Sequence, residues 1–114
     1  MSDKHGDVLV LEQMVKSCAD LTKAYQLEYF FYFPSRVAAE RAAADVQCDG
    51  FTTEIHREPL PWWNRLFAKP RWTLLAIKVM VPAREEIFRL TDTFNAIGQQ
   101  YGGEYDGWGA LLRR

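Results

Sequence analysis

The side chains best suited to chemistry in this chain are His5, His56, Cys18 and Cys48, and they stand far apart. A metal site needs ligands at characteristic close spacings, as in HExxH or CxxC, and neither pattern occurs. His5 lies in the polar start and His56 on the less apolar face of its strand pattern, and neither a nucleophile–base set nor a carboxylate pair marks an acid–base site. The Gly102-Gly103 pair follows a helical pattern, whereas a phosphate cradle needs glycines that open a helix. The residues therefore predict no catalytic centre, no metal and no cofactor.

Two regions instead have the composition of a recognition surface. From Arg57 to Arg71, four positive residues (Arg57, Arg65, Lys69, Arg71) face one negative residue (Glu58), a local charge of +3. The same stretch carries Trp62, Trp63 and Phe67, and aromatics beside arginine are typical of binding hot spots. From Glu85 to Asp106 the balance reverses, with Glu85, Glu86, Asp92, Glu104 and Asp106 against Arg89, a local charge of −4. That region ends in Gly102-Gly103-Glu104-Tyr105-Asp106-Gly107-Trp108. Trp62, Trp63, Arg65, Phe67, Glu104, Tyr105, Asp106 and Trp108 are accordingly the candidate partner-binding residues. The two opposed patches also allow self-association into a homo-oligomer.

These residues need a frame. Val8, Leu11, Val15, Cys18 and Leu21 step by three and four, predicting an amphipathic helix from about 7 to 24. Tyr25 to Phe33 alternates as a strand, with Leu27, Tyr29, Phe31 and Phe33 on one face. Pro34 ends it, Ser35 is a helix N-cap, and the alanine-rich run to Val46 is a helix stopped at Gly50. Ala38, Ala42 and Val46 would share its buried side. Phe51 to Arg57 alternates as a half-buried strand. Glu58 to Arg71 holds Pro59, Pro61 and Pro70 and reads as a loop, with room for one short helical turn from Trp62 to Ala68. Trp72 to Val81 is a central strand. Pro82 precedes a helix with Ile87, Leu90, Phe94, Ile97 and Tyr101 on one face. Glu104 to Trp108 forms a short last strand, with Asp106-Gly107 as a turn that sets Trp108 against the fold.

After the first helix, the order is strand, helix, strand, strand, helix, strand. This predicts an α+β protein with a ferredoxin-like βαββαβ arrangement, two helices on one face of an antiparallel sheet. The expected division is an N-terminal helical extension over 1–24 and a domain over 25–114.

Composition agrees with a single soluble domain. The chain has 114 residues, 48% hydrophobic, with fourteen Lys+Arg against fifteen Asp+Glu. That near-neutral charge gives no global attraction to nucleic acid or anionic lipid. The polar start lacks a secretory signal, and the apolar runs are too short for a membrane span. Two cysteines thirty positions apart read as buried or partly buried free thiols, and the chain is expected in the cytoplasm.

Two other functions fit the same topology. An RNA-recognition module would stack bases on the first and third strands. Phe30 and Tyr32 offer such rings, but Trp72 to Val81 lacks the basic-Gly-aromatic pattern, so no direct nucleic-acid contact is expected. A small cofactor-independent enzyme would need a sealed pocket between helices and sheet.

Phe31-Tyr32-Phe33-Pro34-Ser35 with the alanine-rich helix, the Trp72 strand with Val81-Pro82, and above all Gly102 to Trp108 resemble the RraB family. The likeness covers about residues 25–110. It implies a ferredoxin-like domain without a catalytic centre that binds ribonuclease E and restrains RNA degradation by protein–protein contact. The best-known members are strongly acidic, with Asp/Glu-rich tails. This chain is nearly neutral, ends Leu111-Leu112-Arg113-Arg114, and carries a basic tryptophan loop.

Overall fold

A computed structural model describes residues 4–17, 20–57 and 71–111. Seven elements follow in order: α1 (Lys4–Lys16), β1 (Tyr25–Phe33), α2 (Arg36–Gln47), β2 (Thr52–Arg57), β3 (Trp72–Met80), α3 (Arg84–Gln100) and β4 (Glu104–Leu111). The strands form one sheet in the order β2-β3-β1-β4, and every neighbouring pair is antiparallel. The mixed α+β class expected from the pattern is the one observed.

Alternation in β1 decides which face of the sheet is covered. Leu27, Tyr29, Phe31 and Phe33 are almost wholly buried, while Gln26, Glu28, Phe30 and Tyr32 are half-buried on the other side. Against the covered face, α2 lays Ala39, Ala42, Ala43 and Val46, so the helix backbone comes close to the strands. The buried side is rotated slightly from the expected one, leaving Ala38 half-buried at its margin. The helix starts as read, with the Ser35 hydroxyl accepting from the Ala38 amide at 3.1 Å. Such a cap contributes about 1 kcal/mol. Cys48, just past the end of α2, is free and exposed rather than buried, because position 48 has turned away from the face that carries Val46. Cys18 lies outside the described residues.

The α3 helix buries Ile87, Leu90, Phe94 and Ile97 at spacings of three and four. No side chain caps its start, but Glu85 and Glu86 in the first turn complement the helix dipole. Phe94 meets Tyr29 edge-on at 5.2 Å between ring centroids, and Phe51 edge-on at 5.4 Å. Phe31 and Tyr105 close the cluster around it at 5.1 and 5.6 Å. Aromatic pairs in these geometries add about 1 kcal/mol each beyond the area they bury.

The first helix is shorter than its periodicity suggests. It ends at Lys16, and by Asp20 the chain has entered a turn in which the Asp20 carboxylate accepts from the Thr22 amide at 2.9 Å and its hydroxyl at 2.6 Å. That local bonding competes with helix continuation. Leu21 still packs on the core, but from this turn and not from the helix.

The last strand is longer than expected and is not straight. Phe31 pairs with Tyr105, yet Phe30 pairs with Gly107, so Asp106 is an extra residue opposite the β1 ladder. This is a β-bulge, where a turn was expected at Asp106-Gly107. Gly107 has a φ of 134°, which favours glycine. In a regular strand, Tyr105 and Trp108 would point to opposite faces. The bulge brings both onto the covered face, 1% and 6% exposed.

Candidate partner-binding site

The heptapeptide from Gly102 to Trp108 divides into inward and outward parts. Gly103 sits against β1, Tyr105 stacks near Tyr29 at 6.4 Å, and Trp108 stacks on the same ring at 6.1 Å. The indole N–H of Trp108 donates to Asp7 at 2.9 Å, and the Thr91 hydroxyl donates to the other oxygen of the same carboxylate. One fully buried aspartate in the first turn of α1 thus joins α1, α3 and β4. Glu104 and Asp106 are exposed on the other side of the strand.

Of the eight candidate residues, Glu104 and Asp106 present accessible side chains, whereas Tyr105 and Trp108 are committed to the core. Trp62, Trp63, Arg65 and Phe67 lie outside the described residues. Asp7 is not among the residues that the sequence singles out, although Asp7, Leu11 and Met14 at i, i+4 and i+7 share the buried side of α1. An aspartate in such a stripe needs buried donors, and a buried tryptophan needs an acceptor.

Two phenols share this region. Burial pushes the ionisation of Tyr29 well above the ordinary tyrosine range, and the nearby Asp7 charge adds to it. Burial does the same to Tyr105, helped by Tyr29 and Asp7. The Tyr105 hydroxyl has no hydrogen bond of good geometry. Thr91 works in the opposite direction on the Tyr105 ionisation, but the Thr91 proton is given to Asp7. Tyr105→Phe is therefore expected to leave stability unchanged or raise it by up to about 1 kcal/mol, measured by urea denaturation.

Both phenols also make stability fall at alkaline pH. Below pH about 10, folded and unfolded chains both keep these protons, and stability is full. Above it the unfolded chain releases them while the folded chain holds them, so stability is lost as pH rises. Replacing both Tyr29 and Tyr105 by Phe is expected to flatten this decline by up to about 2.7 kcal/mol per pH unit, the value for two protons. Denaturation midpoints of wild type and double variant across this range check it.

The face of the sheet opposite α2 and α3, uncovered among the described residues, is set out by the pairing register. Along β3 it carries Thr73, Leu75, Ile77 and Val79, the last 67% exposed. Phe30 lies beside Leu75, and Glu54 lies on Leu75's other side. Glu28 lies beside Ile77 and opposite Gly109. His56 and Thr73 continue the row to Tyr32, where the Arg71 guanidinium lies 3.9 Å from the ring centroid, and then to Glu104. Because Gly107 and Gly109 have no side chains, β4 is low on this face. A depression of about 220 Å³ opens between α1 and β4 beside this face, lined by Phe30, Asp106, Gly107, Trp108 and, from α1, Gly6, Asp7 and Val10.

Among the described residues, no group of three or more His, Cys, Asp or Glu side chains is placed to hold a metal ion. His56 stands alone on the uncovered face, and His5 is exposed on α1. No described helix is long and apolar enough to cross a membrane. What the described residues offer is a surface: a sheet face over which α2 and α3 do not lie, with an apolar stripe and acidic flanks.

A search of the curated proteins finds none that matches this chain. A family model described as regulator of ribonuclease activity B matches residues 5–110. The matched span takes in both ends of the buried junction, from Asp7 in α1 to Trp108 in β4, with the first three strands and all of β4 but its last residue. A chain matched over so much of its length, with the strand order and C-terminal closure described above, belongs to the RraB family of regulators of ribonuclease activity.

Proposed function

We propose that this chain is a non-enzymatic, cytoplasmic regulator that binds ribonuclease E and modulates RNA degradation through protein–protein contact. The observation that carries this reading is the family match over residues 5–110. In this reading residues 25–114 form a ferredoxin-like domain, supported by the βαββαβ connectivity and the order β2-β3-β1-β4. Residues 1–24 are its helical extension, with the Asp7 hydrogen bonds to Thr91 and Trp108 as the clamp.

The competing functions draw less support. The space between helices and sheet, where a cofactor-free enzyme would hold substrate, is filled by Tyr29, Phe31, Phe94 and Tyr105. The face on which an RNA-recognition module stacks bases carries Glu28, Glu54, Glu104 and Asp106 against Arg71, and these acids repel phosphate.

Cleavage of a labelled RNA by purified ribonuclease E, with increasing amounts of this chain, tests the reading. The expected result is a rate that changes and saturates at a fixed ratio of the two proteins, whatever the RNA concentration. An unchanged rate at saturating chain, or an effect that excess RNA removes, would contradict it.

A further inference from the structure

Leu75, Ile77 and Val79 form an apolar stripe down the middle of the uncovered face, with Phe30 next to it. Glu54 flanks this stripe on the β2 side, and Glu28 flanks it on the β1 side. Asp106 lines the depression beside Phe30. Each acid lies within one strand spacing of an apolar residue, about 5 Å, so a ligand that covers the stripe meets the carboxylates as well.

We propose that this face docks a basic, amphipathic segment of a partner protein, with its aliphatic side chains along the β3 stripe and an arginine or lysine in the depression beside Phe30 and Asp106. The inference rests on the protein-regulator reading and adds where the partner sits and what its chemistry is. Charge complementarity selects the occupant. A basic segment satisfies Glu28, Glu54 and Asp106, and its cation can also lie against the Phe30 ring. An RNA strand would bring phosphates to the same acids. A second copy meeting this face with the same face would set acids against acids.

The test uses the full chain and two variants, Glu54→Lys/Asp106→Lys and Val79→Ser, all at exposed positions. The probes are a short peptide alternating arginine and valine, its glutamate–valine counterpart, and a single-stranded RNA of equal length. The arginine–valine peptide is expected to bind, to shift the amide resonances of Phe30, Leu75, Ile77 and Asp106, and to weaken with salt. The charge-reversed variant should bind it about tenfold more weakly, with the Val79 variant in between. Failure of this peptide to bind, shifts confined to the helices, or the same shifts produced by RNA would overturn the proposal. So would concentration-dependent self-association that the charge reversals abolish.

Purified ribonuclease E then separates the two claims. If it is bound equally by wild type and charge-reversed chain, the docking face is wrong and the regulator reading stands. If the basic peptide binds this face but ribonuclease E is neither bound nor affected, the regulator reading fails and the face remains a site for basic segments.

Discussion

Asp7→Ala is expected to lower stability by about 4 kcal/mol, leaving two buried donors, the Trp108 indole and the Thr91 hydroxyl, without their acceptor. A buried donor left unpaired costs about 1–3 kcal/mol, and here there are two. The total is a large share of the 5–15 kcal/mol that holds a typical domain. It corresponds to a drop in melting temperature of roughly 15 °C for a chain of this size. Asp7→Asn keeps an acceptor for the indole and should lose about half as much. Amide exchange locates the damage: protection in α1 and in β4 around Trp108 should fall first, with β3 retained longest. A thermal melt within about 2 °C of wild type would show that the junction contributes little.

Gly103→Ala should cost about 3 kcal/mol for a different reason, namely lack of space. A methyl group at this position would overlap the Tyr32 carbonyl oxygen and come within 2.8 Å of Cε1 of the Phe33 ring. The first of these is backbone of the strand paired with β4, so relief requires the β1–β4 ladder to move. Gly102→Ala is the control. It has a φ of 73° but open space around it, so it meets backbone strain alone, about 1 kcal/mol. Chemical denaturation of the two variants should rank them clearly, with Gly103→Ala the worse. Equal losses would mean that helix termination matters at this pair and close packing does not.

Sequence pattern revealed the strands well because their alternation is set by one covered face. Leu27, Tyr29, Phe31 and Phe33 fall on it as their spacing requires. The start of the alanine-rich helix is equally legible through Ser35, but the helix ends at Gln47 with Cys48 as its C-cap, and Gly50, with a φ of 87°, follows two residues beyond that cap. The errors have local causes too. The first helix is shorter than its pattern because Leu21 keeps the three-and-four rhythm from a turn that Asp20 holds. Asp106-Gly107 forms a bulge where the pattern predicts a turn because Asp-Gly suits both, and only pairing with β1 decides between them.

The site was less legible than the fold. Tyr105 and Trp108 stood out as aromatics in a distinctive ending, but three positions apart they give no sign that both face inward. Their burial depends on the extra residue between them and on Asp7, which is 101 positions away from Trp108. The uncovered face was hidden for the opposite reason. Its acids come from different strands, and only the register β2-β3-β1-β4 sets Glu54, Glu28 and Asp106 around Leu75, Ile77 and Phe30.

Regulation of ribonuclease E by this chain, as proposed, requires direct contact between the two proteins. Sedimentation velocity of purified chain mixed with purified ribonuclease E, both freed of RNA by nuclease and high-salt washing, tests it most directly. The expected result is a faster-sedimenting complex of defined ratio that persists without RNA. Two independently sedimenting species, joined only when RNA is added back, would contradict it.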